Sequence, residues 1–137
     1  MLLNHITDQV YLSDKEVADN KDIVACLGIT HMVSILDSPD QPTATHPKVQ
    51  YLRIYVKDQP GQNLGRWFER VYKFITAAIN NEHKGIVLIH CNHCVSRSPV
   101  VTWAYLMRAH KMTYHEAEAH ITQRHYGMFA PNDSFLK

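Results

Sequence analysis

The sequence has 137 residues, enough for one domain that buries its own hydrophobic core without disulfide or metal staples. Its formal net charge is +1 with acidic and basic residues interspersed, so neither nucleic acid nor a membrane surface is an expected partner. Three cysteines, an odd number without a disulfide-framework spacing, point to a reducing compartment, the cytoplasm with the nucleus as the alternative.

In chain order, residues 1–10 are interrupted by Asn4, His5, Thr7 and Asp8, and no apolar run approaches the roughly 20 residues a membrane helix requires. Ser13 with Glu16 reads as a capping box that opens an early helical region, with Cys26 packed inside it and Gly28 placed to end it. The apolar run His31 to Leu36 is a strand candidate, and Asp37 to Pro47, with Pro39, Pro42 and Pro47, reads as a surface loop. Tyr51 to Val56 alternates, with Leu52, Ile54 and Val56 on one face, which is strand periodicity. Leu64, Phe68, Val71, Tyr72, Ile75 and Ile79 then recur at helical spacing.

Ile86 to His90 is apolar without alternation, as expected of a strand covered on both faces. Ser98 followed by Pro99 supplies an N-cap and a preformed first helical residue, and Val100 to His110 reads as a largely buried helix. Thr113 with Glu116 is a second capping box, opening a helix through about Arg124. Strands alternating with helices predict an α/β single domain, a central mostly parallel sheet flanked by helices. Trp67 and Trp103 fall at helical positions beside apolar residues and are expected in the core or at its rim, while most of the ten scattered histidines are expected at the surface or rim.

Chemistry concentrates in Ile89-His90-Cys91-Asn92-His93-Cys94-Val95-Ser96-Arg97-Ser98-Pro99, a loop between a buried strand and a proline-started helix. Backbone N–H groups of a tight loop at a helix N-terminus converge on one point, and the helix dipole favours negative charge there. Cys91 at the strand end sits over that point, where the same field stabilises thiolate, the nucleophilic form. Arg97 can fold back and hold two phosphate oxygens through its planar fork, and Ser98 offers a hydroxyl next to the sulfur. His90, Cys91, His93 and Cys94 do not read as a zinc site, because four donors within five positions cannot easily surround one tetrahedral ion.

His90-Cys91-x5-Arg97-Ser98 resembles the phosphate loop of protein tyrosine phosphatases, and Ser96-Arg97-Ser98 is similar to their dual-specificity, VH1-like branch. Leu27-Gly28-Ile29-Thr30-His31-Met32-Val33 and Ala130-Pro131-Asn132-Asp133-Ser134-Phe135-Leu136 also look like that family, so the resemblance covers most of the chain. It implies a phosphatase with no metal or cofactor that acts on phosphoproteins, at phosphotyrosine, phosphoserine or phosphothreonine. Cys91 would be the nucleophile, forming a phosphocysteine. Asn92, His93, Cys94, Val95, Ser96 and Arg97 would bind phosphate, and Ser98 would help release Cys91. His90 and Asn132 would support the loop, although His90 is equally read as the end of a strand.

The resemblance also calls for an aspartic acid after an earlier strand to protonate the leaving oxygen. Asp58, in the turn Lys57-Asp58-Gln59-Pro60-Gly61, fits, with Asp37 and Asp40 as alternatives in another loop. Cys94 stands where the family usually has glycine. That leaves three competing readings: a pseudophosphatase that binds phosphate without turnover, a redox device using Cys91 and Cys94, and an RNA 5′-phosphatase suggested by His93.

Overall fold

The computed structural model describes residues 2–57, 62–92 and 97–124. Strands β1 (Leu3–Thr7) and β2 (Val10–Ser13) form a hairpin, followed by two short helices, α1 (Lys15–Asp19) and α2 (Lys21–Leu27). Then come β3 (His31–Leu36), β4 (Gln50–Tyr55), a single 3₁₀ turn (Gly65–Trp67), α3 (Phe68–Asn80), β5 (Val87–His90), α4 (Arg97–Ala109) and α5 (Tyr114–Arg124). The strands form one sheet of order β1-β2-β5-β3-β4 in which only the β1–β2 pair is antiparallel. The expected α/β plan, with a mostly parallel sheet between helices, is the observed one.

Strand β5 is central, and each of its residues is buried, which explains why its sequence lacks alternation. Its pleat nevertheless sorts side chains between two cores. Val87 and Ile89 join Val33, Ile35, Leu12 and Val10 under α3, α4 and α5, whereas Leu88 and Met32 turn to the opposite face, under Ala18, Val24 and Ile29. Helix α3 presents Val71, Ile75 and Ala78 to the larger core; of the residues expected at helical spacing, Val71 and Ile75 are buried there, Phe68, Tyr72 and Ile79 pack at its edge, and Leu64 precedes the helix.

Two glycines are demanded by geometry. Gly28 ends α2 at φ 72°, in the left-handed region that glycine enters without a Cβ penalty. At Gly85 a Cβ would lie 2.8 Å from both the Ala78 carbonyl oxygen and Thr30 Oγ1, so the link from α3 into β5 passes too close for any side chain.

Several local expectations shift. The early helical region is two helices, because Asn20 ends α1 and its side chain accepts from the N–H groups of Asp22 and Ile23 to start α2. The cap of α1 is Asp14, not Ser13, which ends β2 and donates to the Asp14 carbonyl. Cys26 is exposed on α2 rather than packed. Trp103 is buried and donates through Nε1 to the Tyr114 carbonyl, and Trp67 lies at the rim. The Thr113–Glu116 capping box forms reciprocally, with bonds of 2.8 and 3.1 Å. His31, His46 and His90 are buried, while the other described histidines lie at the surface or rim, as expected of most of them. Among the described residues no helix is long and apolar enough to cross a membrane.

Candidate functional site

Parallel strands deliver their carboxyl ends to one edge of the sheet, where open α/β sheets bind ligands. Here β5 ends at His90 and Cys91 follows, with Ser13 at the end of β2 and Ser34 of β3 in register beside His90. Helix α4, thirteen residues long, starts at Arg97 and returns under the larger core. Ser98 therefore lies inside the first turn of α4 and not at its cap, and Pro99 is tolerated there because first-turn N–H groups have no partner within the helix.

Relieved of capping, the Ser98 hydroxyl sits 3.1 Å from Cys91 Sγ, and both residues are buried. A hydroxyl at that distance is within reach to donate a hydrogen bond to the sulfur. Arg97 is 3% exposed, and its Nη1 donates to the Val56 carbonyl at 2.8 Å and to Asp37 Oδ1 at 2.7 Å. Its Nε is buried without a hydrogen-bond partner among the described residues. An unmet N–H of a charged group is costly, and it marks the direction from which an acceptor would come.

His90 is fully buried. Its Nδ1 lies 3.2 Å from the Cys91 carbonyl and its Nε2 2.7 Å from Ser34 Oγ. A carbonyl only accepts, so the proton belongs on Nδ1, and Nε2 accepts from the Ser34 hydroxyl. Burial pushes the imidazole down to about 4, against the smaller opposing effect of the Cys91 carbonyl. His90 ends β5, as one of its two sequence readings has it, and both of its ring nitrogens are engaged within the described residues.

Asn92 is held by three residues, one on α1 and two in the loop after β3. Its carbonyl accepts from the N–H of Lys15 on α1 at 3.1 Å, its Nδ2 donates to Asp37 Oδ2 at 3.3 Å, and its Oδ1 accepts from Gln41 Nε2. Asp37, named as an alternative acid, therefore uses both oxygens as acceptors. Asp40 is exposed in the same loop. Gln41 and Ser34 were not singled out from sequence. The available signal was positional, since Ser34 neighbours His90 across the sheet and Asp37 follows the end of β3. Asp58, His93, Cys94, Val95, Ser96 and Asn132 lie outside the described residues. Val56, whose carbonyl holds Arg97, stands two positions before Asp58 in the chain.

The family model for "Dual specificity phosphatase, catalytic domain" matches residues 10–137. The chain is 32% identical over 135 residues to the tyrosine-protein phosphatase yvh1 of Schizosaccharomyces pombe, covering 98% of this chain and 39% of that protein. It is 32% identical over 127 residues to human dual specificity protein phosphatase 1, covering 93% of this chain and 33% of that one. The chain thus spans well under half the length of either relative. Its fold is similar to the crystal structure of human tyrosine phosphatase-like serine/threonine/tyrosine-interacting protein, with a TM-score of 0.87, 26% identity, and coverage of 98% and 90% of the two chains. The buried cysteine after the central strand, the arginine folded back from the following helix and the family match over nearly the whole chain agree: the protein belongs to the dual-specificity phosphatase catalytic-domain family.

Proposed function

We propose that this domain hydrolyses phosphate monoesters of phosphoproteins, at phosphotyrosine and at phosphoserine or phosphothreonine, through a phosphocysteine on Cys91. The observation that carries this reading is the pairing of Cys91 Sγ with Ser98 Oγ at 3.1 Å, at the foot of a helix whose buried Arg97 keeps an unpartnered Nε.

In the first step Cys91 thiolate forms a bond to phosphorus as the phosphorus–oxygen bond to the substrate breaks. The electron pair leaves on that oxygen, which takes a proton from Asp58. Arg97 balances charge on the equatorial phosphate oxygens, assisted by the backbone of residues 92–97 at the helix N-terminus. In the second step water attacks phosphorus, Asp58 accepts its proton, and the sulfur–phosphorus bond breaks to return thiolate, to which Ser98 donates. Asp58 is assigned by its place after β4 and by family resemblance, supported by the Val56 carbonyl's hold on Arg97.

The test is hydrolysis of aryl phosphates by purified protein. Cys91→Ser is expected to abolish turnover while still binding inorganic tungstate, an unreactive tetrahedral oxyanion; near wild-type hydrolysis by this variant would falsify the assignment. Asp58→Asn is expected to lose about 10²–10⁴-fold on phenyl phosphate, whose leaving group needs a proton, and far less on esters of acidic phenols. An equal loss on both would remove Asp58 from the acid role.

A further inference from the structure

The described edge of the site contains a closed ring of hydrogen bonds that the reaction itself does not use. Asp37 Oδ1 accepts from Arg97 Nη1 at 2.7 Å, and Oδ2 accepts from Asn92 Nδ2 at 3.3 Å. One carboxylate therefore holds the residues at both ends of the phosphate loop. Gln41 closes the ring, taking the Asp37 N–H on Oε1 at 2.8 Å and donating from Nε2 to Asn92 Oδ1.

We propose that Asp37 is a positioning residue that ties the two ends of the phosphate loop together and fixes the Arg97 guanidinium with Nε turned toward the incoming oxyanion. This rests on the reading of Arg97 as the phosphate clamp. Two acceptors on the single nitrogen Nη1, Asp37 and the Val56 carbonyl, fix the plane of the guanidinium, and among the N–H groups they leave unmet Nε is the buried one. A planar fork is useful only when its plane is set, because bidentate recognition depends on orientation.

The ion pair has two opposing consequences for an anionic ligand. The carboxylate's negative charge repels phosphate, while its hydrogen bonds preorganise the groups that bind it. Burial decides between them. The Asp37 side chain is 47% exposed, so water screens its charge, whereas the Arg97 side chain is 4% exposed and has no solvent to replace a lost partner. Positioning outweighs repulsion.

Two substitutions separate the effects. Asp37→Ala removes the charge and both bonds. Asp37→Asn removes the charge but keeps an oxygen for Arg97, placing an amide N–H₂ against the Asn92 amide donor, so that only the tie to Asn92 is lost. Affinity for inorganic tungstate is measured by calorimetry on the full chain, alongside kcat and KM for an aryl phosphate. Expected is a loss of about tenfold in tungstate affinity for Asp37→Ala, a smaller loss for Asp37→Asn, and no change for Asp40→Ala, which removes one charge from the same loop. Equal or tighter binding by Asp37→Ala, or equal losses in Asp37→Ala and Asp40→Ala, overturns the proposal. Should Asp37→Ala not fold, the isosteric Asp37→Asn decides, since unchanged or tighter binding by that variant excludes the brace. Failure of wild type itself to bind tungstate would instead overturn the phosphate-site reading beneath it.

Discussion

His90, next to Cys91 in the chain, is a buried histidine with both ring nitrogens hydrogen-bonded. Two neutral hydrogen bonds, from Nδ1 to the Cys91 carbonyl and from Ser34 to Nε2, use both ring nitrogens and fix the tautomer. Burial penalises the charged imidazolium and holds the group at about 4 against an ordinary 6.5. Because the folded value lies below the unfolded one, the unfolded chain binds the extra proton between them. The stabilisation is thus complete above pH 6.5 and is lost as pH falls toward 4, at about 1.4 kcal/mol per pH unit. Urea unfolding between pH 7 and pH 4.5 should show that slope in wild type and a flatter dependence in His90→Gln. Parallel slopes in the two proteins would mean that other groups set the acid limit.

At the scale of elements, the sequence is most readable where one physical rule acts alone. The run His31 to Leu36 became β3 with its ends unchanged, and the Thr113–Glu116 capping box formed as read, because side-chain spacing and local hydrogen bonding decide them. Legibility fails where two candidates compete for one role. Ser13 and Asp14 both suit an N-cap, and the chain uses Asp14, whose Oδ1 takes the Val17 N–H while Oδ2 takes the N–H of Leu2 across the hairpin. The β1–β2 hairpin was hidden because a polar residue, Asn4, occupies a core-facing position beside Ile6, breaking the apolar alternation that marks a strand. In the site, Cys91, Arg97 and Ser98 were legible from spacing, as one short segment carries them. The Asp37–Gln41 brace was not, since its members approach Asn92 and Arg97 through the sheet, and no local pattern encodes that meeting.

Across the whole molecule, the sheet divides the core unequally, and the phosphate loop is anchored to both sides. Arg97 belongs to α4, on the face where β2, β3 and β5 pack against α3, α4 and α5. Asn92 is held by the N–H of Lys15 on α1, which lies on the face of the smaller core cluster of Ala18, Val24, Ile29, Met32 and Leu88. Helices of five and seven residues are too short to persist without tertiary support, so α1 and α2 depend on that small cluster. Local opening follows the weakest packing, and amide exchange in residues 15–27 should therefore proceed through a partial opening, well before exchange in residues 68–80 and 97–109. An oxyanion bound beside Asn92 should also hold Asn92, and through it Lys15, slowing exchange near the start of α1 more than in α3. Hydrogen–deuterium exchange with and without saturating tungstate measures both effects. Equal protection of the two faces in the free protein would show that the sheet opens as one unit and that the loop has no softer side.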